Sequence, residues 1–443
     1  MKHRIARIAA AVATLGVVAG ALTGCTGQST SNEPVTLKWW APNLSASIAD
    51  DVDYYKTLVA PFTKDTGISV DVEVNAWGDY YNKILGAITA GEGPDLISTG
   101  TTWVSPLTDS GAFVQFDNST MDSIGGSSQF VPTALKAAGG DNTGGPSMIP
   151  WVTGVTQMWY NKKLFAAAGI TAPPASWSEF VSDAKKLTLD TNGDGQIDQW
   201  GFGYPAGFAQ EWAHTMFAFG EQNNAPFFTD AGKANLNAPG MVDAAQQFVD
   251  LMNVDKVMSP SNVEDVSFSP TYQNVIDGKA AMIFAPGANG AFDQAKFADY
   301  GVAQIPLVDN LPGKPITTHI AGVNIGVFGA TKHRDESLQL LKFLSSESTQ
   351  VDVAVKLPNI LPANSAAFGS DKVDKSEVFT TSESILKNTA AGYPLNTLAG
   401  QAETVIGDAM KQIMSKAATS GSASRADIQA ILDAANGQLA ASQ

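Results

Sequence analysis

The stretch Asp53-Tyr-Tyr-Lys-Thr-Leu-Val-Ala-Pro-Phe-Thr-Lys-Asp-Thr-Gly-Ile-Ser-Val-Asp-Val-Glu73 changes its apolar period in the middle. Tyr55, Leu58, Val59 and Phe62 fall at i, i+3, i+4 and i+7, one face of a helix. Asp65-Thr66-Gly67 closes that helix, with Gly67 suited to a left-handed cap. Ile68, Val70, Val72 and Val74 then alternate with polar residues, the period of a half-buried strand. Upstream, Val35–Trp40 is a short apolar strand. Downstream, Tyr81, Ile84, Leu85 and Ile88 make a helix ending near Gly91, and Asp95-Leu96-Ile97 opens another strand. Strand, helix, strand, helix, strand is the order of an α/β domain.

The rest of the chain fits a large, acidic, mostly helical continuation. Helices are predicted at Met241–Val254, Asp335–Ser345 and Gln401–Lys416. A flexible link, Thr419–Ser424, leads to a last helix through Ile428, Ile431 and Leu432. No internal repeat is visible. With 443 residues, of which 44% are hydrophobic and 16% charged, the chain is long enough for two or three domains. Its formal charge of −16 argues against nucleic acid as a partner. One cysteine excludes an internal disulfide framework, and four histidines leave little for a multi-histidine metal centre. There is no GxSxG elbow, no P-loop and no HExxH.

Lys2, Arg4 and Arg7 precede an apolar run, Ile8 to Leu22, too short for a comfortable membrane span. It ends in Leu22-Thr23-Gly24-Cys25, which resembles the bacterial lipobox whose cysteine receives lipid. Residues 1–24 are therefore expected to be a lipoprotein signal peptide and 25–34 a tether lipidated at Cys25. Two acyl chains make a stable anchor on the extracellular face of the cell membrane.

Aromatic residues beside polar ones at strand ends have two readings, rings that fill the core or a site for a ligand with apolar faces and hydroxyl edges, a saccharide. These are Trp40 with Asn43, Trp77 with Asp79, Trp103 after Thr101-Thr102, and Trp212 between Glu211 and His214. In open α/β sheets ligands gather outside the carboxyl ends of strands. Trp177, in Pro174-Ala-Ser-Trp-Ser-Glu-Phe180, is assigned instead to packing at a helix start.

The order of segments resembles the extracellular solute-binding proteins of carbohydrate ABC importers, the group that includes maltose-binding protein. The matching pieces are KWWAPN (38–43), PFTKDTGISVDVE (61–73), AGEGPDLI (90–97), IPW and MWYNKKLF (149–165), PPASWSEF (173–180), GKAAMIF (278–284), DYGVAQIPL (299–307) and LLKFLSSESTQ (340–350). The resemblance implies an α/β, two-lobed periplasmic-binding-protein-like fold with a ligand cleft between lobes joined by crossing segments. By analogy the N-terminal lobe is 35–150 with 286–328, and the C-terminal lobe 151–285 with 329–443. It implies a monomer without catalysis that hands a small oligosaccharide to ABC permease subunits. It also places Trp40 and Asn43 after the first strand and Trp103 after the Pro-Asp-Leu strand. Trp212 matches a second-lobe aromatic, and Tyr393 lies in a late loop. Where many relatives carry Gly-Pro-Trp, this chain reads Ala285-Pro286-Gly287-Ala288-Asn289, so Asn289 is expected to give a hydrogen bond in place of a ring. His319 and Asn324 flank the Ala321-Gly322 turn near the ligand. Two other classes remain open: an exported carbohydrate-active enzyme, which needs a carboxyl pair facing the sugar, and a surface adhesin or scaffold, which has no closing cleft.

Asp190, Asn192, Asp194, Gln196 and Asp198 carry side-chain oxygens at EF-hand-like spacing around Gly193 and Gly195. The twelfth position is Gly201, so the bidentate carboxylate is missing locally. A structural calcium and a metal-free loop of Asx turns are the two readings. No cofactor is otherwise required.

Overall fold

The computed structural model describes residues 34–44, 47–140, 144–357 and 360–443. The expected signal peptide, most of the tether and Cys25 lie outside the described residues. No helix among the described residues is long and apolar enough to cross a membrane.

The opening segment folds as its periods require. Strand β1 (Thr36–Pro42) buries Leu37, Trp39 and Ala41 on one face. The helix Ile48–Thr66 is capped by the Ser47 hydroxyl, which accepts from the Asp50 N–H, and ends at Gly67 with φ 75°. That glycine is needed because a side chain disfavours the left-handed region. β2 (Ser69–Asn75) is an edge strand, parallel to β1 with Trp39 opposite Val72. The helix Trp77–Ala90 follows, and β3 (Leu96–Gly100) is buried along its whole length.

The first sheet is completed by strands from far along the chain. β4 (Ile149–Gly154), β10 (Ala321–Val327) and β11 (Leu361–Pro362) join β1, β2 and β3 in the order β11-β4-β10-β3-β1-β2. β10 runs antiparallel to both β3 and β4. Trp39 anchors the core under this sheet. Its ring meets Tyr55 at 5.1 Å and Trp151 at 5.4 Å, and its indole N–H donates to the Ser98 hydroxyl at 2.7 Å.

A second sheet has the order β6-β7-β5-β8, from β5 (Gln157–Asn161), β6 (Trp200–Gly203), β7 (Ala280–Ala285) and β8 (Tyr300–Ala303). Its core is larger and mostly helical. Helices Ala209–Gln222, Pro239–Asn253, Ala399–Ser420 and Arg425–Ala440 all contribute buried residues to it. Trp177 belongs here, first in the helix Trp177–Lys186, whose Ser176 and Glu179 form a reciprocal cap.

The chain passes between the sheets three times. Gly154 leads almost directly into β5, and β8 returns through β9 (Thr318–His319) to β10. From β11 the chain then runs through the helix Glu377–Asn388 and β12 (Ala390–Ala391) to Ala399. β9 and β12 pair in parallel, so the last two passages are hydrogen-bonded to each other.

Two expectations need correction. The lobe division 35–150 with 286–328 against 151–285 with 329–443 crosses the sheets. Phe292 packs on Trp159 and Ile283, and β8 pairs with β5, so 286–303 stays with the second sheet. The helices Arg334–Ser345 and Glu347–Lys356 return to the first, where Leu340, Leu344 and Val353 join Leu37 and Trp39. The link Thr419–Ser424 is shorter than expected, because Thr419 and Ser420 continue the helix to Gly421.

Candidate ligand cleft

The carboxyl ends of β1 and β3 open toward the second lobe, and a cavity of about 490 Å³ lies between. Gly100 ends β3, and Thr101–Trp103 form a short turn of helix against the cavity. Trp77, first in the helix Trp77–Ala90, stands edge-on to Trp103 at 5.3 Å, and its indole N–H donates to the Asn43 carbonyl at 2.8 Å. Gly100 keeps this pair close, since a Cβ there would lie 3.2 Å from the Trp77 ring. The opposite wall is the start of the helix Ala209–Gln222, which presents Gln210, Glu211 and His214. His319 of β9 forms part of the same lining.

The polar wall is a coupled group. The His214 ring stacks on His319 with centroids 3.9 Å apart. His214 Nε2 lies 3.2 Å from Glu403 Oε1, and Nδ1 lies 3.7 Å from Glu211 Oε2. Burial disfavours the imidazolium, but the bonds and charges of Glu211 and Glu403 outweigh it and hold His214 up at about 9. Among the described residues His319 has no such carboxylate partner. Burial, aided by the neighbouring His214 charge, pushes it well below the usual histidine value. Burial pushes the Glu211 carboxyl up, against the pull of His214. Burial would also raise Glu403, but bonds from His214, Thr102 and Gln210 take it below the ordinary value.

The expected residues separate into groups. Trp77, Trp103, Glu211, His214 and His319 line the cavity together. Asn324 stands one bond behind it, donating to the Thr101 hydroxyl at 3.3 Å. Tyr393 is buried behind the histidine pair, 6.1 Å from His214 and 5.1 Å from Phe217. Asn43 touches the site through its carbonyl, while the neighbouring Leu44 lines it. Trp40 does not face the cavity; its ring lies 4.0 Å under the Lys83 ammonium. Asp79 is exposed in the first turn of its helix. Asn289 opens the helix Asn289–Gln294, while Pro286 reaches the cavity.

Trp212 is a correction. It is 0% exposed, packs on Tyr204 at 4.5 Å and Phe248 at 5.2 Å, and donates its indole N–H to the Ala206 carbonyl. It is core, not a stacking platform. The apolar surface on that side comes from Phe208 and Phe268, rings 5.9 Å apart, which the sequence reading missed. Phe208 precedes the helix that carries Glu211, and that position was its available signal.

The Asp190–Asp198 loop closes on itself. Asp190 accepts from the N–H groups of Gly193 and Gly195, Asn192 from Asp194, and Asp194 from Gln196. Both Asp198 oxygens are taken by Thr191 and Asn192. The backbone bonds to Asp190, that from Gly195 foremost, hold its carboxyl below the usual range. Among the described residues no three His, Cys, Asp or Glu side chains converge as a metal site. These bonds give the loop a succession of Asx turns.

Two α/β lobes with a ligand-sized cleft at their strand ends define a two-lobed solute-binding protein. The chain belongs to the bacterial extracellular solute-binding proteins, whose family pattern matches residues 45–351. A binding protein of Brucella abortus (strain 2308) is 27% identical over 297 residues, 66% of this chain and 68% of its own length. The fold is similar to the maltose/maltodextrin-binding domain MalE from Bdellovibrio bacteriovorus bound to maltotriose. That match has 25% identity and a TM-score of 0.68, over 91% of this chain and 99% of the other. The sugar-binding protein MalE from Xanthomonas citri superposes with a TM-score of 0.76 at 17% identity, over 92% and 98% of the two chains. The family is one of solute binding, not of catalysis.

Proposed function

We propose that the protein is a lipid-anchored extracellular receptor that binds a small sugar, a di- or oligosaccharide, in the cleft between its lobes and delivers it to an ABC permease. The observation that carries this reading is the pairing of walls: Trp77 and Trp103 on one lobe, Gln210, Glu211 and His214 on the other. An indole face suits the C–H face of a pyranose, and the polar wall suits its hydroxyls. A volume of about 490 Å³ falls within the ordinary range for small-molecule sites. The maltotriose held by the Bdellovibrio relative supports the ligand class.

The test is a calorimetric and thermal-shift screen over di- and trisaccharides. A ligand at 100 times its Kd should stabilise the protein by about 2.7 kcal/mol. A flat response to every glycan beside a response to peptides would reject the sugar. The anchor is tested separately: Cys25→Ser should release the protein from membranes into the medium, and retention on the membrane would reject lipidation at Cys25.

A further inference from the structure

Glu211 has a carboxylate oxygen to spare. Its Oε2 faces His214 at 3.7 Å, while Oε1 is buried with no hydrogen-bond partner. The residue is 4% exposed and lines the cleft. A buried acceptor left unpaired is costly, and such groups in a native site call for a partner that arrives later.

The surroundings fix what that partner can be. His214, one turn along the same helix, is cationic but shared with Glu403 of the helix Ala399–Ser420. His319, from β9, contributes no charge in its neutral form. Tyr272, on the helix Phe268–Ile276, and Tyr204, after β6, are the other titratable groups near Glu211, and burial keeps both phenols uncharged. Two carboxylates therefore share one cation. Among the described residues lining this cavity, Glu211 is the only Asp or Glu, and there is no lysine or arginine. The ligand's side of the cleft is short of positive charge.

We propose that Glu211 sets the charge class of the ligand: the cleft takes saccharides that offer a hydrogen-bond donor to Oε1, amine-bearing sugars ahead of neutral ones, and refuses uronates and sugar phosphates. This deepens the sugar reading above and rests on it. An ammonium at Oε1 makes a charge-assisted bond and supplies the missing cation. A carboxylate or phosphate in its place sets like charges together with no cation between them, which is how a site rejects the wrong ligand.

Two matched sets test this by titration calorimetry on the full-length protein at neutral pH. The beta-linked set is cellobiose, the glucosamine dimer and cellobiouronic acid; the alpha-linked set is maltose and its amino and uronic analogues. In the set that fits the cleft, the amine should bind roughly tenfold or more tighter than the neutral sugar and the uronate roughly tenfold or more weaker, the scale of one charged hydrogen bond. Glu211→Gln should collapse the spread. A uronate as tight as its neutral counterpart, or a spread that survives Glu211→Gln, overturns the proposal. If Glu211→Gln fails to fold, the wild-type series decides alone. Neutral binding with a flat charge series defeats this inference only, whereas silence from both complete sets defeats the sugar reading with it.

Discussion

Trp103 and Trp212 show the two uses of an indole in this protein. Trp103 is half-buried against Trp77 and Tyr81 and faces the cavity. Trp103→Ala should therefore weaken sugar binding by about 1.5–3 kcal/mol, the value of burying one large apolar side chain, with a nearly unchanged melting temperature. Trp212→Ala should cost about 3–5 kcal/mol of folding stability through the cavity it leaves. Paired calorimetry and urea unfolding check both, and a cleft role for Trp212 would invert them. The sequence held the clue to this difference. Neighbours on a helix point about 100° apart, whereas residues three or four apart share a face. Glu211 and His214 are such a pair, and Trp212 between them had to turn inward. Reading aromatic-beside-polar in a line of letters missed that geometry.

The histidine pair makes stability depend on pH in both directions. His214 is held up at about 9, so its contribution is full below the unfolded value of about 6.5 and is lost as pH rises through 9. His319 is held below that value, so its contribution is present above about pH 6.5 and is lost as pH falls. Urea unfolding from about pH 5 to 10 should give a dome. His214→Gln should flatten the alkaline shoulder and His319→Gln the acid one. A profile that neither substitution alters would refute the assignment.

At the scale of elements, Gly322 is a position with little freedom. It is the second residue of β10, with φ 136°, and a Cβ would lie 2.2 Å from the Val152 carbonyl oxygen. The register shifts just beyond it, between Val323 and Asn324. Gly322→Ala should destabilise the protein by more than about 1 kcal/mol and weaken binding, since the residue lines the cleft. Wild-type stability in that variant would contradict the strain. The first three strands and the helices between them were legible, because period 2 and period 3.6 each survive in the letters. Pairing over long separations was not. An apolar helix face such as Leu340, Leu341 and Leu344 says that something covers it, but not which sheet, and so the late helices were placed on the wrong lobe.

For the whole molecule, the test of the architecture is motion. Small-angle scattering should show contraction when the sugar is added, with the passages at 154–157 and the β9–β12 pair as the hinge. An unchanged scattering curve at saturating ligand would mean a rigid site. The same passages carry a consequence in time. β10 sits between β3 and β4 at the centre of the first sheet, and Gly322 bonds across to Thr101, 221 residues earlier. At about 5–20 residues per second, that strand is made roughly 10–45 s after the one it must join. Until then β1, β2 and β3 are a fragment with an open edge. A chain whose first lobe is not complete until β11 at Leu361–Pro362 has been made carries that open edge for most of its synthesis.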